Sequence, residues 1–528
     1  MSTKKIISGI SFSWLRFLIG IVITFIQAPL FFKYLPNEEV GVWFLFFSAA
    51  ALIQMSDFGL PSAVSRAVAY MKNTSSKGGQ SEVEFYKKFT IKDIYRTAFT
   101  SFIIISAIAV IIGSSLIILL KPGFGVTQTN SYQISTAFAI FLVGVFFNMT
   151  ANIPNACLNG LGDVGFDSLF RIVVQSLGVI AIWILLPANP SIKTLSLIYL
   201  GQGILSIILV HCFLMFKYKM LFKVQGKLDL TLIKQLYKES IPLFVNQIGG
   251  WLTNQSGIWI ATIILGASKI ADYSALVQLL FYGLSLSMSI PIAINPHAAS
   301  AFSEGGVRSL HKYFYLTLKL STFIVGIWIV IFAVWGETIL DIWIGSGHFI
   351  GYGVLIPLLI NLFFEMQHSI SGGFVWNTGK WPFVPATVAS GILSVLFGLV
   401  GCYYFGFTGL AIGTMLAKLF TLNWYVVFFS LRRLNISIKQ YVTEYFLPAI
   451  FTILAILPCA IFFNSQLIKY QNNFIFRNLP GNIIFSFSIG STITIIMWVV
   501  LYYILVLKIN EKELFKHNIN KFIYARRY

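Results

Sequence analysis

FLIGIVITFIQAPLFFKYLPNEEVGVWFLFFSAAALIQMSDFGLP, residues 17–61, is two apolar runs parted only by Lys33 and the polar break PNEE, then closed by an acid, a glycine and a proline. Each run is about twenty residues long, the length of a helix that crosses a bilayer. Such runs recur to the end of the chain: of 528 residues 57% are hydrophobic and 10% charged, and the mean hydropathy is +0.81. No aqueous core could absorb that much apolar surface. Unpaired backbone groups cost several kcal/mol in lipid, so the runs must be helices or closed barrel strands, and unbroken apolar runs lack the alternation of barrel strands. The sequence therefore predicts an all-α polytopic membrane protein of about fourteen spans, starting near Phe12, Gly41, Phe99, Gln133, Ser168, Ile192, Ile241, Ala271, Leu316, Phe349, Phe383, Phe407, Glu444 and Ile483.

The 37 Lys and Arg against 18 Asp and Glu raise the question of nucleic acid, which the placement of the cations answers. With the N-terminus in the cytoplasm, only Lys33, Lys121, Lys193, Lys269, Lys469 and Arg477 fall outside, and Arg16, Lys319 and Lys418 fall within spans. The rest lie in cytoplasmic segments, which is the positive-inside pattern of a multi-pass inner-membrane protein with both termini in the cytoplasm. The basic balance is thus a topology signal with some attraction to anionic lipid, and nucleic acid is not an expected partner. Lys4 and Lys5 before an apolar stretch resemble a secretory signal, but Arg16 interrupts the stretch and no small-residue cleavage site follows, so a retained first helix is expected. Cys157, Cys212, Cys402 and Cys459 are scattered without paired spacing and read as packing residues.

The basic connection after the sixth span divides the chain. Expected are an N-terminal lobe (1–217), a cytoplasmic linker helix (218–240), a C-terminal lobe (241–433), two further spans (434–508) and a basic tail (509–528). Leu228, Leu232 and Leu236 recur every four residues with Lys227, Lys234 and Lys238 on other faces, as in a helix lying on the inner membrane surface; a solvated linker helix fits the pattern equally. Sliding the chain on itself pairs Gly20 with Gly250, Leu35 with Leu265 and Pro61 with Pro291, and each half opens with two spans joined by a very short loop, YLPNEEVGVW and ILGASKIADYS. Parallel repeats of this kind build transporters with a central site between the halves.

LPNEEVGVWFL, MSDFGLPSAVSRAVA, ESIPLFVNQIGG and ASAFSEGGVRSLHKYF together resemble the polysaccharide flippases, the Wzx-type O-antigen and repeat-unit exporters of the multidrug, oligosaccharidyl-lipid and polysaccharide (MOP) exporter superfamily. The resemblance implies two helical lobes around a central cavity. It also implies alternating access that moves an undecaprenyl-pyrophosphate-linked oligosaccharide from the cytoplasmic to the periplasmic leaflet, with a polysaccharide polymerase and chain-length machinery as partners and with a coupling ion.

A charge inside a span costs roughly 2.5 to 3.5 kcal/mol or more unless paired or wet, so each is a functional candidate. Arg16 and Lys418 lie deep enough to line a cavity, where cations would compensate an anionic pyrophosphate; for Lys418 the alternative is a helix-helix ion pair. Lys319, about a turn inside the ninth span, is a weaker cavity candidate that could instead reach the inner surface. Asn246, Asn254 and Gln255 of the seventh span offer donors to sugar hydroxyls, with Trp251 as a stacking face, or else act as amide glue between helices. Asp57 and Glu365, near the cytoplasmic ends of the second and tenth spans, are expected to face Arg66, Arg171 or Lys319 in a breakable inner gate; alternatively Asp57 only fixes a helix end and Arg66 only anchors at headgroups. Pro29, Pro61, Pro291 and Pro296 are candidate hinges: Pro29 is expected to break the first span, Pro61 to let the chain turn after the second, and Pro291 and Pro296 to break the end of the eighth.

No Gly-rich phosphate loop, metal-ligand cluster or nucleophile set emerges, so neither a cofactor nor a metal is expected and the chain does not read as an enzyme. A glycan polymerase would want a large external loop with acids, and the longest, Asn464 to Gly481, has none. An Na⁺- or H⁺-coupled drug or metabolite exporter of the same superfamily would want acids deep in the first lobe, where only Asp57 stands out.

Overall fold

The computed structural model describes residues 3–72, 85–86, 88–115, 128–218, 228–376, 382–471 and 482–507. Among these residues the fold is helical throughout. The helices are α1 (Thr3–Tyr34), α2 (Asn37–Gln54, with a 3₁₀ turn Met55–Asp57), α3 (Leu60–Lys72), α4 (Ile91–Ser114), α5 (Gln128–Thr150), α6 (Asn152–Gly160), α7 (Val164–Ala188) and α8 (Ile192–Lys217). There follow α9 (Leu230–Leu265), α10 (Ile270–Ile344), α11 (Tyr352–Trp376), α12 (Val384–Lys418, with a π-turn Leu419–Asn423), α13 (Trp424–Arg433), α14 (Ile438–Tyr441, with a π-turn Val442–Phe446), α15 (Leu447–Gln471) and α16 (Asn482–Leu505).

Local chemistry sets the ends. Thr90 and Asp93 form a reciprocal capping box on α4, the Ser191 hydroxyl accepts from Thr194 N at 3.2 Å at the start of α8, and Asp229 accepts from Thr231 N at 2.7 Å at the start of α9. Twelve stretches of the described residues are long and apolar enough to cross a membrane. One of them, Val384–Arg433, runs for 50 residues and breaks at Gly406 (φ 59°), and α9 adds a helix of 36 residues, so helices stand at all the expected spans.

Two expectations are corrected. The linker is not a separate surface helix: α9 runs unbroken from Leu230, and Leu232 and Leu236 are buried in a core with Ile94, Tyr95 and Ala98 of α4. The spacing of four holds for Leu232 and Leu236, whose face packs on protein, while Leu228 precedes α9 and is exposed. Nor do Pro291 and Pro296 end the eighth span, since the helix continues through both to Gly306 (φ 66°, ψ −156°). There the chain reverses. Ser309 bonds the Ala301 carbonyl, the Ser321 hydroxyl donates to Ser287 O at 3.0 Å, and Gly283 lies against Trp328, all disposed about the same point. Proline in a membrane helix loses one hydrogen bond that neighbours can replace, whereas the left-handed backbone at the reversal suits glycine alone. Pro29 likewise sits inside an uninterrupted α1, and the turn before Pro61 is made by Phe58 (φ 50°) and Gly59 (φ 73°).

The chain forms two compact units: Met1–Ala275 with Thr387–Gly406, and Leu276–Ala386 with Phe407–Tyr528. The first has a core rich in aromatic rings, in which Trp43, Phe46, Phe138 and Phe141 are packed with ring centroids 4.8 to 6.5 Å apart. Gly249 and Gly391 let α9 and the first half of α12 approach to backbone contact. In the second unit α16 docks on the second half of α10: Trp498 lies against Gly326 and donates to Phe323 O at 3.1 Å, and the Tyr502 hydroxyl donates to Lys319 O at 2.6 Å.

Candidate functional site

Each unit holds a cluster of charged side chains, and a clamp lies beside the first. In the first unit α1 and α7 lie side by side, which sets Arg16 against the first turn of α7. The Asp167 carboxylate there accepts from Arg171 Nε at 2.9 Å, one turn on, and lies 3.8 Å from an Arg16 guanidinium nitrogen. Asn159 Nδ2 donates to it at 3.4 Å. The carboxylate side chain is 5% exposed while Arg16 and Arg171 are 39% and 31% exposed, so two guanidiniums share one buried anion and present the surplus positive charge outward.

Four residues earlier, buried Asp163 accepts from Lys217 Nζ at 2.6 Å and from the Tyr218 hydroxyl. Lys217 also stands over the Phe166 and Phe213 rings, 4.8 and 5.2 Å from their centroids. Burial, with the Asp163 carboxylate adding to it, pushes the Tyr218 phenol above its usual range. The clamp fixes the end of α8.

In the second unit Lys418, at the end of α12, donates to Glu365 of α11 at 2.8 Å. His368, one turn after Glu365, places Nε2 3.7 Å from the same carboxylate and Nδ1 2.8 Å from Asn423 Oδ1. Asn423 closes the π-turn that follows Lys418. Gln367 faces the other way and accepts from the Tyr441 hydroxyl at 2.6 Å, and Thr322 meets Tyr445 of the second π-turn at 2.5 Å. Extra-residue turns of this kind are rare in helices and collect at functional positions.

These geometries sort the expected residues. Lys418 makes the helix-helix ion pair, so Glu365 meets Lys418 rather than Arg66, Arg171 or Lys319. Arg171 meets Asp167 instead. Lys319 is 1% exposed, so it is buried in its unit and does not reach a surface. Asp57 Oδ1 accepts from Gly59 N at 2.7 Å and shapes the turn into α3, on which Arg66 is exposed. Trp251 donates its indole N–H to Ser48 O at 3.3 Å and Trp259 donates to the Ser48 hydroxyl at 3.0 Å, so the expected stacking face is engaged in packing α9 on α2. Asn254 is exposed and donates to Gly250 O at 3.0 Å, while Asn246 and Gln255 are half-buried.

A family model described as polysaccharide biosynthesis protein matches residues 6–302. The chain belongs to this family. A search of curated proteins finds no match. Among solved structures, the lipid II flippase MurJ in an inward closed conformation is similar with a TM-score of 0.64 at 16% identity, over 95% of this chain and 98% of that one. An inward-facing multidrug resistance MATE transporter of the MOP superfamily gives 0.64 at 14% identity over 79% and 94%. A MOP superfamily transporter from Pyrococcus furiosus, described as having a binding pocket of reversed polarity, gives 0.59 at 14% over 81% and 95%. The family member described here thus has the MOP fold.

The sequence reading passed over Asp163 and Asp167, two buried acids of the first unit. A signal existed: Asp167 precedes Arg171 by four residues, the spacing of a same-face ion pair. Among the described residues no group of three or more His, Cys, Asp or Glu side chains could hold a metal ion.

Proposed function

We propose that this family member is a flippase that carries a polyprenyl-pyrophosphate-linked oligosaccharide, an undecaprenyl-linked repeat unit such as that of an O-antigen, from the cytoplasmic to the periplasmic leaflet of the inner membrane. The observation that carries this reading is the Arg16–Asp167–Arg171 cluster, where two part-exposed guanidiniums share one buried carboxylate. Fork-shaped guanidiniums match phosphate oxygens, and a surplus of one charge attracts a diphosphate without trapping it. With both termini cytoplasmic, the cluster lies toward the side where cargo enters.

Alternating access between two lobes, 1–217 and 241–433, accounts for the cycle. The acids wanted by the drug-exporter reading are present as Asp163 and Asp167, but both already bind cations of their own unit. A polymerase and chain-length machinery would take up the delivered repeat units.

The test is deletion in the source organism followed by assay of lipid-linked oligosaccharide in the inner leaflet. Accumulation is expected, reversed by the intact gene but not by an Arg16→Ala, Arg171→Ala double variant that still reaches the membrane. Unchanged glycan export after deletion, or full rescue by the double variant, would sink the reading.

A further inference from the structure

The Glu365 cluster has one place where the proton count is not fixed. His368 Nδ1 faces the Asn423 side-chain oxygen at 2.8 Å, and the ring also bonds the Phe364 carbonyl. Oxygen acceptors there require Nδ1 to carry the ring's first proton. Nε2 is then left facing the Glu365 carboxylate at 3.7 Å, two lone pairs toward each other, unless a second proton sits between them. Glu365 already takes a hydrogen bond from Lys418 Nζ at 2.8 Å. The charged groups that face the imidazole are therefore Glu365 from its own helix and Lys418 from α12. Tyr441 of α14 is engaged with the adjacent Gln367.

Two further features mark the site as unfinished. Asn423 Nδ2, on a residue 2% exposed, has no hydrogen-bond partner among the described residues, and neither does Gln367 Nε2. Buried amide donors left open are costly and rare. Moreover Lys418 and Asn423, two side chains of this helix that bond α11, stand at either end of the π-turn Leu419–Asn423. A change in how Glu365 divides itself is thus felt across that turn.

We propose that the second unit contains a proton-binding site at His368 Nε2. The bound proton, exchanged with water, lets the imidazolium compete with Lys418 for Glu365 and so sets how firmly α11 is held to the π-turn. Without it, Glu365 and Lys418 form a closed pair of zero net charge. With it, the cluster gains one positive charge and the carboxylate is shared.

The experiment is nitrogen NMR of the full chain in nanodiscs with ¹⁵N-labelled histidine, where loss of a signal in His368→Gln assigns the site. The wild-type His368 resonance is expected to titrate. Glu365→Gln should move the midpoint down, and Lys418→Met should move it up, each by about one pH unit. Opposite shifts are the signature, because a structural role alone would not reverse sign with the sign of the charge removed. If these variants do not yield folded protein, replacing His211, His297, His311, His348 and His517 by Gln leaves His368 as the sole reporter. No titration between pH 4 and 9, or shifts in one direction only, would overturn the proposal. The measurement involves no cargo, so its outcome is separate from that of the flippase assay.

Discussion

Arg16, Asp167 and Arg171 in one unit and Lys418, Glu365 and His368 in the other use nearly the same residue types to opposite ends. In the first, one buried acid holds two cations whose outer faces stay open. In the second, acid and cation are both sequestered, with side chains 16% and 6% exposed. Exposure, not composition, decides which can serve an external anion. A guanidinium that keeps donors free can bind a ligand, whereas an ammonium sunk against its carboxylate has spent its charge inside the fold.

The largest expected effect separates the two clusters by stability. Glu365→Leu removes the carboxylate that the buried Lys418 ammonium bonds and should lower unfolding free energy by about 3–5 kcal/mol, and adding Lys418→Met should recover much of it in a thermal unfolding assay. Next comes Tyr441→Phe, which removes a buried partner of Gln367 and should cost about 1–3 kcal/mol by the same assay; an unchanged melting point would mean the α11 stretch is not braced from α14. In the open cluster the order reverses: Arg16→Lys should leave the melting point almost unmoved while weakening recognition of a pyrophosphate lipid about tenfold, equivalent to about 1.4 kcal/mol. Equal losses of stability from Arg16 and Glu365 variants would erase the distinction. Thr90→Ala, outside both clusters, should cost about 1 kcal/mol through the capping box alone and leave lipid recognition intact.

The smallest effect concerns pH. Asp229, whose carboxyl is held below its ordinary range by hydrogen bonds from the Thr231 hydroxyl and the Leu232 N–H, caps α9. Its contribution is present above the ordinary carboxylate range and is lost as pH falls through the lowered value, so Asp229→Asn should flatten the acid limb of the stability profile.

The spans were legible because apolar runs of bilayer length have no other soluble or membrane use, and each expected run is a helix. The Asp167–Arg171 pair was also in reach, since its spacing is local. For Lys418 the sequence offers a helix-helix ion pair as an alternative but not its partner, for Glu365 is 53 residues away and nothing local fixes which acid a cation meets. Leu232 and Leu236 showed an apolar face without showing what covers it, because lipid and protein select the same side chains. The prolines misled for a related reason: they weaken a helix, but the place where a chain turns back is set by left-handed geometry, which only Gly306 supplies without strain.

That reversal bears on how the protein is made. Two long helices meeting at a single glycine leave no tether to thread, so they must leave the translocation machinery and enter the bilayer together as one hairpin. A side chain at position 306 would therefore disturb biogenesis first, reducing the amount of protein that arrives before altering what the arrived protein does.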